Sequence, residues 1–224
     1  MYSPAIENYL KTIYDLQDEH GKVATTALAE RLSVTPASVT NMVKKLAELH
    51  LVTYEPYQGL VLTESGQRAA LKVVRCHRLV ELFLLKSLGL SWDQVHAEAE
   101  KWEHVVSEEM TERIDVSLGR PTTDPHGSPI PTRDGLITPS ASVPLTELQA
   151  DQSAVIAEVR DRNPALLHYL GGLGLYPGVD ITVIANTPFA GSIKIRLEER
   201  ESILGYEAAQ HIFVTENRAV ADEI

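Results

Sequence analysis

The sequence contains a single cysteine, Cys76, in 224 residues. One cysteine excludes an internal disulfide framework and any zinc module built from several cysteines. No apolar run approaches the roughly 18 residues that a membrane span requires. The N-terminus also lacks the basic and then apolar pattern of a secretory signal, and no internal repeat of roughly 20–50 residues is evident. We therefore expect a cytoplasmic protein without a membrane partner.

The composition is that of a globular protein, but its charge is unevenly distributed. Apolar residues make up 44% and charged residues 23% of the chain, which excludes wholesale disorder and a fibrous chain. The net charge is -11, yet residues 1–80 carry nine basic and eight acidic side chains, so the other 144 carry eleven basic and twenty-three acidic ones. The overall acidity therefore does not exclude nucleic acid as a partner of the N-terminal part.

The spacing of apolar residues predicts helices in the first half of the chain and short strands in its last third. The predicted helices cover a stripe over 6–16, a short segment near Leu28, a segment that begins at Thr35-Pro36, and segments 63–90 and 92–118. Two strands, at 51–54 and 60–62, flank the predicted turn Gln58-Gly59. Near the C-terminus, alternating apolar residues predict strands around one small helix at about 154–170, which is typical of a compact SH3-like β-barrel.

A cluster of prolines separates the two halves of the chain. Six of the twelve prolines lie between Gly119 and Pro144. Proline removes a backbone donor and restricts the residue before it, so this stretch is neither a long helix nor a central strand. We interpret it as a connector and place domain boundaries at 1–64, 65–120, 121–149 (the connector) and 150–224.

The N-terminal order of helix, short helix, helix and two-stranded ribbon predicts a winged helix-turn-helix. The third helix of such a domain lies in the major groove, and its first residues meet the base edges. Here those residues are small or hydrogen-bonding, which suits close approach to bases; they are Thr35, Pro36, Ala37, Ser38, Thr40 and Asn41. Lys44 and Lys45 would contact phosphates, and Tyr57 and Gln58 would form the tip of the wing. The alternative is a helical protein–protein module with a polar face.

Histidines and glutamates with the spacing of one helix face predict a metal site. His77 and Glu81 are four residues apart, and His96, Glu100, Glu103 and His104 follow the i, i+4, i+7, i+8 pattern. Such side chains would be costly to bury together without a cation. The donors are nitrogen and oxygen without a thiolate, which favours Mn²⁺ or Fe²⁺ over Zn²⁺. Any one of these residues alone would indicate only a solvated helix face.

A second pair of candidate ligands lies in the proline-rich stretch. Asp124 and His126 are two residues apart in the segment TTDPHG, which brings an oxygen and a nitrogen donor onto one rigid loop. A turn capped by the aspartate is an equally good explanation of this pair taken alone.

The combination resembles the diphtheria toxin repressor family of metal-dependent regulators over essentially the whole chain. The resemblance rests on six segments, of which 95–104 is the most specific: ENYLKTIY (7–14), TPASVT (35–40), GLVLTESG (59–66), CHRLVE (76–81), VHAEAEKWEH (95–104) and PHGSPIP (125–131). Near the C-terminus, LGLYPG (173–178) and LGYEAA (204–209) resemble the small SH3-like module that is related to ferrous-iron transport accessory (FeoA-like) domains.

The resemblance implies a mainly α protein with a small β part: a winged helix-turn-helix, a helical dimerisation and metal domain, and a C-terminal SH3-like β-barrel. It further implies a homodimer that binds palindromic double-stranded operator DNA when loaded with metal, usually to repress metal-uptake genes. The implied primary site comprises Asn8, Glu100, Glu103 and His104, to which His77 contributes in some members.

The resemblance leaves two versions of a second site open. One comprises His77, Glu81 and His96. In the other, which shares Glu81, loop and barrel groups contribute, and these match Asp124, His126 and Asp161.

Two departures from the family pattern bear on the choice of metal. Iron-responsive members typically have Cys where Glu100 stands, so Glu100 favours Mn²⁺ as the cofactor, with Fe²⁺ as the alternative. Asn8 matches neither the Met nor the Asp found in the two groups. Lys11 stands where some barrel-less members have a carboxylate ligand, which argues against a paired-metal site.

An enzyme is a distant alternative to a regulator. A metal-dependent hydrolase would need a nucleophile or an acid/base pair beyond the ligands themselves, and the sequence has neither an HExxH motif nor a phosphate-binding loop. We therefore expect no enzymatic activity and no small-molecule substrate.

Overall fold

The computed structural model describes residues 2–55, 58–138, 141–160 and 163–216, with backbone only at 18–20, 190 and 216. The chain forms two compact units, each assembled from three segments. The first consists of Met1–His77, Glu100–Thr111 and Pro131–Ile137, and the second of Arg78–Ala99, Glu112–Ile130 and Thr138–Ile224. Among the described helices, none is both long and apolar enough to cross a membrane.

The first unit begins with three helices and a two-stranded ribbon: α1 (Pro4–His20), α2 (Thr25–Arg31), α3 (Pro36–Glu48), β1 (Val52–Glu55) and β2 (Gly59–Leu62). The predicted start of α3 is confirmed, because the Thr35 side chain accepts a hydrogen bond from the amide of Ser38 and Pro36 follows at the first helical position. The strands pair antiparallel with Val52 opposite Leu62. The apolar faces of all five elements form one core, centred on Leu10, Ile13, Leu28, Leu46 and Leu60.

Three further helices follow: α4 (Glu64–Leu88), α5 (Val95–Trp102) and α6 (Glu108–Ser117). The prediction of one helix over 92–118 was wrong, because turns occupy residues 103–105. Ser107 starts the new helix α6: its hydroxyl accepts from the amide of Met110, and Glu108 and Glu109 occupy the first turn of α6, where carboxylates favour a helix start. Glu103 and His104 therefore lie just beyond α5.

The second unit contains a six-stranded antiparallel sheet in the order β3-β8-β4-β5-β6-β7. Its strands are β3 (Val143–Pro144), β4 (Ser153–Val159), β5 (Asp180–Thr187), β6 (Ser192–Leu197), β7 (Arg200–Gly205) and β8 (Ile212–Glu216), with helices α7 (Pro164–Gly172) and α8 (Tyr206–Ala209). Alternate strand residues such as Ile156, Val183, Ile195 and Val214 fill the core beneath the sheet.

The predicted small helix at about 154–170 was wrong in its first half. Residues 153–159 form β4, in which Ala154 and Ile156 are buried and Val155 and Ala157 are partly exposed. This alternation with a period of two indicates a strand. The helix begins only at Pro164, where the Asn163 side chain accepts from the amide of Ala165.

The predicted fold class is confirmed in its main terms. The chain is mainly α with a smaller β part, and it has a winged helix-turn-helix, a helical part and a C-terminal sheet domain of the SH3-like kind. Each compact unit combines three separate segments of the chain, which the sequence did not predict.

Candidate metal centres and DNA-binding face

The exposed side of α3 carries the side chains that the sequence predicts to read DNA. Val39, Val43 and Leu46 are buried, so the opposite side of the helix faces solvent. The exposed residues on that side include all eight helix candidates, namely Thr35, Pro36, Ala37, Ser38, Thr40, Asn41, Lys44 and Lys45.

Local hydrogen bonds distinguish the members of this face. Thr35 and Ser38 are engaged in the helix cap, and the Thr40 hydroxyl donates to the carbonyl of Pro36 at 2.9 Å. Among the described contacts of α3, none involves the side chains of Asn41, Lys44 or Lys45. These three side chains are therefore available to a partner without first breaking a contact.

The ribbon β1–β2 has a polar tip. Gln58 is exposed, and its Oε1 accepts from Lys22 Nζ at 2.9 Å. Lys22 Nζ also lies 3.2 Å from Glu55 Oε2. Tyr57, the other predicted wing residue, lies outside the described residues. Lys22 adds a cation to the wing that sequence reasoning did not single out.

The first unit brings together the ligands predicted for the primary site. Helix α1 contributes Asn8, the turn after α5 contributes Glu103 and His104, and α4 contributes His77, which hydrogen-bonds Glu103. His104 Nε2 lies 2.6 Å from Asn8 Oδ1. Donor atoms of His77, Glu100 and Glu103 all lie within 4.8 Å of one another. We call these residues, together with Glu7 and Lys11, the first cluster.

Glu7 and Lys11 belong to the first cluster although the sequence did not predict them as ligands. Glu7 Oε2 lies 2.8 Å from His104 Nδ1. The Lys11 ammonium donates to Glu100 Oε1 at 2.8 Å and to both oxygens of Glu103 at 2.7 and 2.8 Å. The i, i+4 spacing of Glu7 and Lys11 on α1 is the signal that could have indicated them.

The electrostatics of the first cluster are dominated by the buried Glu103. Burial alone would raise the pKa of Glu103, but the hydrogen bond from His77 and the adjacent Lys11 ammonium outweigh it and hold that pKa below its usual value. The carboxylate of Glu103 is thus kept ionised in a place from which water is excluded. An ionised, buried carboxylate is a strong donor for a divalent cation.

The second unit brings together a separate group of donors, which we call the second cluster: Glu81, His96, Asp124 and His126. Glu81 Oε1 lies 2.8 Å from His96 Nδ1, and Glu81 Oε2 lies 3.8 Å from His126 Nδ1. Donor atoms of Glu81, Asp124 and His126 lie within 4.8 Å of one another, and all three residues are buried. Asp161, the remaining predicted ligand of this site, lies outside the described residues.

The loop that carries Asp124 and His126 is closed by its own aspartate. Asp124 Oδ1 accepts from the amides of His126 and Ser128 at 2.8 and 3.0 Å, so one oxygen shapes the turn. The other oxygen, Oδ2, lies 3.7 Å from Arg78 Nε. The two explanations of the Asp124–His126 pair are therefore compatible, because the aspartate can cap the turn and still present an oxygen.

This loop is fastened to strand β4. The amide of Val159 donates to the carbonyl of His126 at 2.8 Å, and the Ser128 hydroxyl donates to the buried Glu158 at 2.7 Å. Gly127 has φ +89, and a Cβ there would lie 2.0 Å from the carbonyl oxygen of Ala157. Only glycine fits this conformation and this close approach.

Burial and neighbouring carboxylates shift the pKa values of the second cluster. Burial, and then the neighbouring Glu81, raise the pKa of Asp124 to about 6. Burial would lower the pKa of His126, but Glu81 and Asp124 outweigh it and raise that pKa. Like charges are held close together here, and a bound cation would relieve their repulsion.

Both clusters suit a divalent cation of borderline to hard character. Each offers carboxylate oxygens and imidazole nitrogens, and among the described residues the buried Cys76 belongs to neither group of converging donors. Such donor sets are used for Mn²⁺ and Fe²⁺. Basic side chains that sequence reasoning missed lie beside both: Lys11 in the first cluster and Arg78 beside the second.

Three family models match the chain in succession. Residues 1–60 match the iron-dependent repressor N-terminal DNA-binding domain, residues 63–132 match the iron-dependent repressor metal-binding and dimerisation domain, and residues 143–216 match the FeoA domain. A curated relative, the iron-dependent repressor IdeR of Mycobacterium tuberculosis (strain H37Rv), is 35% identical over 224 residues, covering 93% of this chain and 95% of the relative.

The chain belongs to the iron-dependent repressor family, which includes the diphtheria toxin repressor. It is accordingly a metal-dependent, DNA-binding transcriptional repressor with a dimerisation domain, and the family resemblance seen in the sequence is confirmed. The diphtheria toxin repressor of Corynebacterium diphtheriae is 35% identical over 156 residues, covering 69% of each chain.

Solved structures of the family share this fold. A manganese-dependent transcriptional repressor in complex with manganese superposes with a TM-score of 0.88 at 39% identity, covering 94% of this chain and 99% of that one. The T. acidophilum IdeR superposes with a TM-score of 0.78 at 30% identity, covering 94% and 97%. The family members with similar structures therefore include proteins named for manganese and proteins named for iron.

Proposed function

We propose that this repressor responds to Mn²⁺, binds a palindromic operator as a homodimer when it is loaded with metal, and controls metal-uptake genes. The observation that carries the choice of metal is the donor set of the first cluster. Glu100 and Glu103 supply oxygens, His77 and His104 supply nitrogens, and Asn8 supplies an amide oxygen. No thiolate or thioether lies among these donors, so the set is hard enough for Mn²⁺.

Iron is the second candidate, and the similarity to IdeR favours it. The mycobacterial repressors named for iron are 35% identical to this chain over nearly its whole length. The manganese-dependent repressor with a TM-score of 0.88 is 39% identical. Overall similarity discriminates weakly between the two metals, so the proposal rests on the donor atoms of the first cluster.

We further infer that the first cluster takes a single divalent ion. Its charged groups are Glu7, Glu100 and Glu103, which are acidic, and Lys11, which is basic, so with neutral histidines the cluster carries two negative charges. One divalent ion balances them. A second ion would need the space and the oxygens that the Lys11 ammonium already uses.

The residues of α1 connect the metal to the DNA-binding part. Asn8 and Glu7 approach His104 from α1, and Lys11 reaches Glu100 and Glu103 from the same helix. Helix α1 also packs in the core that supports α3. A bound divalent cation supplies the charge that holds these donors together. Ligation would thereby reduce the freedom of α1 and, with it, that of the helix that reads DNA.

The proposal is tested by selecting bound fragments from random-sequence duplex DNA at fixed salt, with Mn²⁺, anaerobic Fe²⁺, Zn²⁺ or a chelator in parallel. We expect a palindromic motif with Mn²⁺ at the lowest free concentration and its loss with chelator. Recovery at lower free Fe²⁺ would replace manganese by iron. Equal recovery of the motif with chelator would show that metal does not control DNA binding.

A matched pair of variants identifies the cluster responsible. Glu100→Gln with Glu103→Gln removes two anionic donors and keeps their shape, so metal-dependent operator binding should be lost while the dimer stays folded. Glu109→Gln, which changes an exposed carboxylate of α6, should leave the response unchanged. A metal response that survives in the double variant would show that the first cluster is not the sensing site.

A further inference from the structure

Trp92 lies against the loop of the second cluster with both its ring and its backbone engaged. It belongs to the turn between α4 and α5, and only 7% of it is exposed. Its ring nitrogen Nε1 donates to the carbonyl of Pro125 at 2.9 Å. Its own carbonyl oxygen lies 3.1 Å from Nε2 of His126. The tryptophan thus holds two consecutive residues of the loop through two different groups.

The indole ring also fixes the plane of the imidazole. The ring centroids of Trp92 and His126 are 5.1 Å apart at 37°. Tyr176 also packs edge-on against the indole, with ring centroids 5.0 Å apart. A Cβ at Gly171 would lie 2.9 Å from the Tyr176 hydroxyl and 3.6 Å from the indole, so the absence of a side chain there makes room for the stack.

These contacts determine which nitrogen of His126 can bind a metal. A carbonyl oxygen can only accept, so Nε2 must carry the proton in its contact with Trp92. The other nitrogen, Nδ1, faces Glu81 Oε2 at 3.8 Å, and the donor atoms of Glu81, Asp124 and His126 converge within 4.8 Å. A ligating imidazole commonly donates its second N–H to a neighbouring acceptor, which fixes its tautomer.

We propose that Trp92 is a positioning residue for the second cluster. The Trp92 carbonyl accepts from Nε2–H of His126, and the indole N–H of Trp92 holds the loop at Pro125. Nδ1 of His126 is thereby left as the nitrogen that binds the divalent cation. The inference rests on the proposed function, because it takes the second cluster to be a metal site. Beyond the proposed function, the inference names Nδ1 as the donor atom of His126 and assigns to Trp92 the role of positioning that histidine.

The donor atom is read directly from the full-length protein loaded with ¹¹³Cd²⁺ and labelled with ¹⁵N in its histidines. Scalar coupling between cadmium and His126 should appear at Nδ1, with Nε2 retaining its proton. Coupling at Nε2 would overturn the donor assignment while the second cluster remained a metal site. If no histidine of the second cluster coupled to cadmium, the second cluster would leave the proposed function and the donor assignment would fall with it.

The positioning role is tested in the Glu100→Gln/Glu103→Gln background, where metal titration measures the second cluster alone. Trp92→Phe keeps an aromatic ring but leaves the Pro125 carbonyl without its donor. We expect the affinity for Cd²⁺ and Mn²⁺ to fall about 10-fold or more, because loss of a residue that supports a metal ligand typically has an effect of this size. Tyr176→Phe also removes one polar group from the stack, and the affinity should stay unchanged. An unchanged affinity in Trp92→Phe would overturn the positioning role.

A general loss of folding is separated from the specific effect in the otherwise wild-type chain. There, Trp92→Phe should leave the affinity of the first cluster unchanged, because that cluster contains no group of the loop. Parallel losses at both clusters would mean that the tryptophan serves only the fold, and the proposal would be rejected.

Discussion

Lys11 is a buried cation whose partners are the carboxylates expected to bind metal. Only 5% of the residue is exposed, and its ammonium contacts three oxygens of Glu100 and Glu103 at 2.7–2.8 Å. Removing one partner from such a buried group is costly because the remaining charge is left without compensation. The positive charge of Lys11 therefore reduces the net negative charge of the first cluster that is available to a bound ion.

A charge reversal at Lys11 should change the number of ions bound. Lys11→Glu replaces an ammonium by two oxygens, so the first cluster should bind two Mn²⁺ ions per chain instead of one. The measurement is metal content after equilibrium dialysis, made in a chain whose second cluster is disabled by Glu81→Gln with Asp124→Asn. Lys11→Met removes the charge without adding a donor, and it should keep one ion. A stoichiometry of one in Lys11→Glu contradicts the charge argument.

The residues of α3 that pack in the core and the candidate DNA-contacting residues lie on different faces of the helix. Buried Val39, Val43 and Leu46 hold it in the core, while the hydroxyls of Thr35, Ser38 and Thr40 are used within the helix. Asn41 combines exposure with an amide that no described side chain engages. An amide of this kind can pair with the edge of adenine.

Replacing this amide should weaken operator binding without affecting the metal. Asn41→Ala should cost about 1–3 kcal/mol of operator affinity, roughly a 5- to 150-fold rise in Kd, measured by fluorescence anisotropy at fixed salt and saturating Mn²⁺. Lys44→Ala should weaken binding to all sequences alike and reduce the salt dependence by about one ion. The Mn²⁺ affinity should be unchanged in both. An unaltered Kd in Asn41→Ala would remove this residue from the reading face.

The sequence predicted the elements of the winged helix well because their signals are local. The proline after Thr35 and the apolar spacing of α3 fix its start and its buried face. Of the predicted turn Gln58-Gly59, Gln58 lies in a turn and Gly59 already begins β2. The predicted helix over 92–118 failed because its His/Glu spacing continues past Trp102, whereas the hydroxyl of Ser107 starts a new helix. A break of this kind is decided by a local cap that competes with the periodicity.

The sequence named candidate ligands that the structure brings together, but it did not predict the residues around them. Spacing marked His77, Glu100, Glu103 and His104 as candidate ligands, and the family resemblance grouped them in one site. The structure gathers them in the first cluster. Lys11 and Trp92 were not predicted as parts of a site, because a lysine on a helix and an aromatic after a helix are ordinarily a solvated charge and a core residue. Their roles depend on contacts with residues distant in the chain.

At the scale of the whole molecule, few positive charges are available to attract DNA. The net charge is -11, and residues 1–80 sum to only +1. Contacts with phosphates are the main source of nonspecific affinity, so the metal-free repressor has little general attraction to DNA. Loading each chain with divalent ions reduces its acidity, and dimerisation doubles the number of contacts.

Because metal and operator bind the same molecule, their effects on each other must be equal. If saturating Mn²⁺ tightens operator binding by a given factor, saturating operator must tighten Mn²⁺ binding by the same factor. Calorimetric titrations of Mn²⁺ with and without a duplex that carries the selected palindrome measure one side, and operator titrations measure the other. A scrambled duplex of equal length is the control. Unequal factors would show that a further equilibrium, such as dimer dissociation, takes part.

The attachment of the second cluster to β4 has a consequence for biosynthesis. All donors of the first cluster precede residue 105, whereas the loop with Asp124 and His126 acquires its supports from Glu158 and Val159 only when β4 has been made. A chain leaving the ribosome folds its N-terminal parts first. The nascent repressor therefore assembles the donors of the first cluster before those of the second can come together.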